Sequence, residues 1–230
     1  MARRLTTTSY AVLGLLAQRP MSAYGIARQY PRSMRWSWPL SQAHLYTEPK
    51  RLAAAGLVRV KRVPAGPHRT RQEFHITPKG RRALARWLAT PPELPVLNHE
   101  LMLRVGFADH GTVDDLLGAL DAAESQLARM YAEGIEQVEG YLADGGPYPE
   151  RLHLIALASD FNGRFLELCH DWIEEVRAEV QQWPTTVALG PTERTRRRLV
   201  AILRRARSIR WRTGESGLVV FVSDLGEKNK

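Results

Sequence analysis

The sequence predicts a mainly α-helical chain with a small β-hairpin, divided into a basic N-terminal part and an acidic part built of long helices. Three observations carry that expectation. Apolar residues recur every three or four positions along most of the chain, and the period falls to two only between Leu57 and Ile76. Prolines and glycines cluster where those runs stop, as at Arg19-Pro20, Pro64-Ala-Gly-Pro and Asp144-Gly-Gly-Pro. Charge is segregated: residues 1–90 carry 17 Lys/Arg against 2 Asp/Glu (+15), residues 91–190 carry 5 against 18 (−13), and residues 191–230 carry 11 against 4 (+7). At 230 residues and 44% apolar content, two modest domains with real cores are expected.

Local chemistry justifies each element. Thr6 to Gln18 sets Tyr10, Leu13, Leu16 and Ala17 at helical spacing behind threonines that can cap, and Arg19-Pro20 ends this first helix. Ser22 caps a second helix, AYGIARQY, which Pro31 is expected to stop. SMRWSWPL reads as a loop packed by Trp36 and Trp38. Ser41 then caps a third helix running to about Ala55, with Gly56 as its left-handed C-cap. Pro49 lies inside that helix on the apolar side with Leu45 and Leu52. There it removes the hydrogen bond to the Leu45 carbonyl at a cost of roughly 3 kcal/mol, and a bend near Leu45 is expected that either re-aims Gln42 and His44 or is absorbed at the helix start. LVRVKRV and RTRQEFHI alternate around the turn PAGPH, giving a hairpin with a basic tip and outer face. Thr77-Pro78 opens a fourth helix with Leu84, Trp87 and Leu88 on one face. Helix, helix, helix, hairpin, helix is the order of a winged helix-turn-helix, and the proline-rich TPPELPVLN closes this domain at about residues 1–90.

Residues 91–190 read as a helical domain. A helix from Thr112 to about Ala143 carries Val113, Leu116, Leu117, Leu120, Leu127, Tyr131, Ile135, Val138 and Leu142 in one stripe. The next, from about Pro149 to Trp183, has two. The stripe through Leu152, Ile155, Leu166, Ile173, Val176, Val180 and Trp183 can face the preceding helix. The stripe through Leu154, Leu157, Phe161, Phe165, Leu168 and Trp172 needs another partner, and a second copy of the chain is the economical one, which makes this a C-terminal α-helical dimerisation domain. Residues 191–230 form a basic C-terminal extension, ERTRRRLVAILRRARSIRWR and then LVVFV. It reads as an amphipathic helix and a short strand docked at the terminus, with a DNA-backbone contact as the competing reading.

A charge of +15 over 90 residues points the first domain at a polyanion. In a helix-turn-helix the recognition helix enters the major groove with its N-terminal residues at base edges. A 100° step per residue puts Ala43, His44, Thr47, Lys50 and Arg51 on the outer side of the third helix, and Gln42 reaches outward from its first turn. Gln and Thr can read adenine or thymine edges, and Lys and Arg can pair with guanine or phosphate. Lys61, Arg62, His68, Arg69 and Arg71 surround the hairpin turn and suit phosphate contacts beside the groove. Double-stranded DNA is the expected partner.

LTTTSYAVLGLLAQRPMSAYGIARQY, LYTEPKRLAAAGLVRVKRV and FHITPKGRRALARWL resemble the PadR family of bacterial transcriptional regulators over residues 5–90. The VLGLL run, Leu45-Tyr46, Lys50-Arg51-Leu52, Gly56-Leu57-Val58 and Thr77-Pro78-Lys79-Gly80 are the most specific pieces, and the long helices match the longer members by layout. The resemblance implies a homodimer that binds an inverted repeat in a promoter, usually as a repressor. It also implies that a small aromatic effector is a candidate partner, since some members are released by phenolic or drug-like ligands. Carried onto this sequence, the DNA contacts are Gln42, His44, Tyr46 and Lys50 on the recognition helix and Arg69 and Arg71 on the wing. The family usually has leucine where Pro49 stands.

No enzyme, cofactor or metal is expected. The seven histidines show no metal-ligand spacing and there is no phosphate-binding glycine loop. Glu48 and Glu73 are the only carboxylates in the first 90 residues, too few for a metal-dependent nuclease there. Cys169, the one cysteine, excludes an internal disulfide and reads as a small buried apolar residue among Phe165, Leu166, Leu168 and Trp172. The N-terminus lacks a signal-peptide cleavage site and no stretch approaches the ~20 apolar residues of a membrane span, so a cytoplasmic protein without membrane contact is expected. A competing reading keeps the same fold as a protein-interaction adaptor without specific DNA binding.

Overall fold

A computed structural model describes residues 4–34, 37–66, 68–93, 95–187, 189–213 and 218–221, the side chains of residues 32 and 33 and those from 210 onward excepted. The elements run α1 (Thr7–Gln18), α2 (Ala23–Ser33), α3 (Gln42–Ala54), β1 (Val58–Pro64), β2 (Thr70–Ile76), α4 (Pro78–Leu88), α5 (Glu100–Gly106), α6 (Val113–Asp144), α7 (Leu152–Val180), α8 (Glu193–Ser208), β3 (Arg210–Thr213) and β4 (Leu218–Phe221). They fall into two compact units, Met1–Asn98 with His153–Asn162, and His99–Leu152 with Gly163–Lys230. The fold is mainly α with a small antiparallel hairpin in the first unit.

In the first unit α1 is the apolar centre. Val12, Leu13, Leu15 and Leu16 are buried around its circumference and pack with Ile26, Tyr30, Leu45, Leu52, Val58 and Phe74. At about 1.5–3 kcal/mol for each fully buried large aliphatic side chain, this cluster is the main source of the unit's stability. A capping box starts α1: Ser9 N–H donates to Thr6 Oγ1 (3.4 Å) and Thr6 N–H to Ser9 Oγ (2.9 Å). Tyr10 stacks on Trp87 of α4 with ring centroids 4.8 Å apart.

α2 does not stop before Pro31 but continues to Ser33. The proline falls within its last turn, so few bonds remain to be broken, and Met34 N–H still donates to the Tyr30 carbonyl at 2.9 Å. α3 likewise runs unbroken through Pro49, whose ring is buried. Gly56, at φ +70°, lets the chain turn back so that Leu57 N–H reaches the Leu52 carbonyl at 3.0 Å.

β1 and β2 pair antiparallel from Val58 opposite Ile76 to Pro64 opposite Thr70. Only the base of this ribbon is covered: Val58 and Phe74 are buried, while Val60, expected inside by alternation, is 44% exposed. Met21 fixes the base by exchanging two backbone hydrogen bonds with Phe74, at 2.8 and 3.3 Å. Beyond it the hairpin projects as a wing.

In the second unit Thr112 caps α6 by accepting from Asp115 N–H at 3.0 Å, and the Asp115 carboxylate accepts back from the Thr112 N–H and hydroxyl. Those bonds hold the Asp115 carboxyl below the usual range. Leu101 of α5, Leu116 and Leu120 of α6, and Ile173, Val176 and Val180 of α7 form the core. Arg177 joins α7 to α6 through Asp121 and Glu124. The stripe expected to stay open on α7 divides: Trp172 packs against this core, while Leu154, Leu157, Phe161 and Leu168 are exposed and Phe165 is half-buried.

Candidate nucleic-acid interface

α3 begins with a firm cap. Ser41 Oγ accepts from His44 N–H (3.4 Å) and meets His44 Nδ1 at 3.0 Å, and Leu45 N–H donates to the Ser41 carbonyl. The cap and the buried Leu45 set the azimuth of the helix. Gln42, His44, Tyr46, Thr47 and Lys50 are accordingly all exposed on its outer side. Thr47 bonds back to the Ala43 carbonyl at 2.9 Å, so its methyl and hydroxyl are held in one rotamer.

Arg51 departs from the outer side to which the wheel assigned it. Its guanidinium grips Glu48 with two bonds, Nε to Oε2 at 2.8 Å and Nη2 to Oε1 at 2.6 Å, and Nη2 also donates to Ser9 Oγ at 2.5 Å. Glu48 is only 8% exposed. Burial pushes its carboxyl up, but the bonds from Arg51 and Ser9 and the guanidinium charge outweigh that and hold it below the ordinary glutamate range. Glu48 and Ser9 were not legible as a pair. The available signal was a glutamate beside the apolar side of a helix, with an arginine one turn later.

The wing carries Lys61, Arg62, His68, Arg69 and Arg71, all exposed. Arg71 lies 3.6 Å from Glu73, which also meets His75 Nε2 at 2.9 Å. Both carboxylates of the first 90 residues are thus engaged by basic side chains, and the outer surface of α3 and the wing presents only neutral and cationic groups. Thr77 ties the wing to α4: its hydroxyl accepts from Gly80 N–H (3.1 Å) and lies 2.9 and 3.0 Å from the Gly56 and Leu57 carbonyls, while Lys79 Nζ donates to the Ala55 carbonyl at 3.0 Å. Thr77-Pro78-Lys79-Gly80 is therefore a clamp on the end of α3. Among the described residues no group of three His, Cys, Asp or Glu could hold a metal, and no helix is long and apolar enough to cross a membrane.

Pro49 has a measurable consequence here. Pro49→Ala returns an N–H to the Leu45 carbonyl, worth up to roughly 3 kcal/mol, and removes two buried methylenes at about 0.8 kcal/mol each. A net gain of about 1 kcal/mol is expected in denaturant unfolding; a loss would mean that the ring's packing outweighs the hydrogen bond.

Three packed helices, an antiparallel wing and a cationic outer face define a winged helix-turn-helix module. Residues 12–86 match the family model of the PadR-like family of transcriptional regulators, to which that part of the chain is similar. The chain is 26% identical over 99 residues to the negative transcriptional regulator PadR of Bacillus subtilis (strain 168), a match that takes in 43% of this chain and 54% of the relative. It spans about half the length of that curated relative. The fold is similar to Bacillus subtilis PadR solved in complex with operator DNA (TM-score 0.63, 18% identity, 76% of this chain and 99% of that one). It is also similar to Bacillus subtilis PadR solved in complex with p-coumaric acid (TM-score 0.56, 17% identity, 78% and 100%). At such identities the likeness is one of fold.

Proposed function

We propose that the protein is a sequence-specific DNA-binding transcriptional regulator, acting in the cytoplasm as a homodimer on an inverted-repeat operator and repressing from it. The observation that carries the reading is the exposed row Gln42, His44, Tyr46, Thr47 and Lys50 on α3, presented without any free carboxylate beside a cationic wing, in a stretch of net charge +15. The relatives' binding of operator DNA and of p-coumaric acid supports it and extends it to control by a small aromatic effector. In this reading residues 1–90 bind DNA, residues 91–190 dimerise through the exposed Leu154, Leu157, Phe161 and Leu168, and the protein has no catalytic activity.

Fluorescence anisotropy tests it, with the duplex immediately upstream of the coding sequence set against a scrambled duplex between about 50 and 200 mM salt. A preference of about 10³ or more for the inverted repeat is expected. Lys50→Ala is expected to cost about 1–3 kcal/mol with relaxed sequence preference, and Arg69→Ala to weaken binding to all sequences and flatten the salt dependence by about one unit of slope. Equal affinity for both duplexes sinks the reading, and a protein partner captured without any DNA shift favours an adaptor.

A further inference from the structure

α8 presents its faces in the reverse of the usual order. Thr192 caps it, accepting from Thr195 N–H at 3.1 Å, and fixes its register. Arg194, Arg197, Arg198 and Arg205 then line a shallow groove with Glu175 and Glu179 of α7, where Arg198 Nη2 meets Glu179 Oε2 at 2.8 Å. The opposite side carries Leu199, Val200, Ile202 and Leu203, all exposed. Four of the seven arginines thus face the protein's own acidic helix, and the aliphatic side, with Arg204 and Arg207 beside Val200 and Leu203, is offered outward.

The same unit carries a second exposed aliphatic row. Tyr131, Ile135, Val138 and Leu142 recur at helical spacing on the outer half of α6, flanked by Glu136 and Glu139. We infer that the aliphatic face of α8 docks on this row of α6 in a second copy of the chain, so that each protomer clasps the other. The inference rests on the homodimer reading and adds to it an interface separate from the α7 seam.

Charge selects the occupant. α8 carries seven arginines and one glutamate, so two α8 helices placed against each other would set like charges together. Residues 91–190 carry −13, and the α6 row joins aliphatic surface to glutamates as α8 joins it to arginines. Burying both rows removes the two exposed apolar strips at once, which a polar partner would leave in water.

Sedimentation of the full chain tests the clasp with two paired variants, Leu199→Asp/Leu203→Asp on α8 and Ile135→Asp/Val138→Asp on α6. All four side chains are exposed in the single chain, so circular dichroism and melting of the protomer should not change. Each variant alone is expected to raise the dimer dissociation constant by about tenfold or more. An equimolar mixture of the two should recover dimer, because one α8–α6 contact is intact in every mixed pair. Wild-type dissociation constants in both variants overturn the clasp and leave the homodimer standing, and loss without recovery on mixing overturns the exchange between protomers. An unchanged dimer constant with lost binding to phosphatidylglycerol vesicles assigns the face to lipid instead. A wild-type chain that sediments only as a monomer removes the homodimer reading itself, and the clasp with it.

Discussion

Arg51→Ala is expected to destabilise the first unit by about 2–3 kcal/mol, while leaving the salt dependence of DNA binding unchanged. Removing one partner of a buried ion pair typically costs about 3–5 kcal/mol, because the remaining charge stays desolvated. Glu48 meets that condition, but the Arg51 side chain is 31% exposed, so water reaches the vacated place and lowers the cost. Ser9, fully buried, loses a partner as well. The pH dependence follows from the sign of the Glu48 shift. In the wild type its folded pKa is depressed, so its contribution is present above the unfolded value of about 4.3 and is lost as the pH falls through the folded value. Without Arg51, burial is the largest influence left on the carboxyl and is opposed mainly by the Ser9 bond, so the variant is penalised where the carboxylate is ionised. The gap between wild type and variant in denaturant unfolding should therefore be full near pH 7, begin to close as the pH falls through the variant's higher folded value, and be lost below the wild type's depressed one. Lys50→Ala removes the same charge one residue earlier, and the opposite pattern is expected: unchanged stability and weaker DNA binding. A flattened salt slope in Arg51→Ala would show that Arg51 faces the DNA after all.

Arg51 also marks where sequence reasoning reaches its limit. Helical spacing located the buried Leu13 and Leu16 of α1, Leu45, Pro49 and Leu52 of α3, Leu116 and Leu120 of α6, and Ile173, Val176 and Val180 of α7. Leu88 of α4 and Tyr131, Ile135, Val138 and Leu142 of α6 share the expected faces but are exposed, because spacing does not show how far a covering partner extends. The caps at Thr6, Ser22, Ser41, Thr77, Thr112 and Thr192 were legible because a cap and its target are three residues apart. The side-chain commitment of Arg51 is of another kind. Its hydroxyl partner, Ser9, stands 42 residues away, and a wheel that places α-carbons says nothing about where a long flexible side chain ends. Val60 failed as a core position because alternation shows which face a strand residue shares with its neighbours, not whether anything covers that face. α8 forms the expected helix, but which of its faces meets α7 was not legible. Its amphipathic pattern was plain, but which face docks is set by Glu175 and Glu179 of α7, and the acidic partner drew in the arginines. α5, seven residues long and without a side-chain cap, gave no signal strong enough to read.

Gly80→Ala is expected to be the most damaging single methyl in the first unit. In an ordinary helix the change gains about 1 kcal/mol, because alanine loses less backbone entropy than glycine. Position 80 differs because a Cβ there would lie 2.2 Å from the Leu57 carbonyl oxygen and 2.9 Å from Ile76 Cγ1. The carbonyl is backbone and cannot swing aside. It also lies within hydrogen-bonding distance of Thr77, accepting from its N–H at 3.0 Å, so displacing it would break the clamp that joins α4 to the end of α3 and the start of β1. Overpacking against rigid groups costs about 1–3 kcal/mol and occasionally more; with the loss of these bonds, a net destabilisation of about 2–4 kcal/mol is expected. For a unit of this size that lowers the melting temperature by roughly 10–20 °C. Gly118→Ala on α6 is the matched control, since nothing stands within 4 Å of its added Cβ, and there the propensity gain of up to about 1 kcal/mol should appear undiminished. Opposite signs for the two substitutions in thermal unfolding would tie the glycine of Thr77-Pro78-Lys79-Gly80 to close backbone packing. If Gly80→Ala melted at or above the wild-type temperature, α4 would have to sit farther from Leu57, and the clamp on α3 would lose its basis.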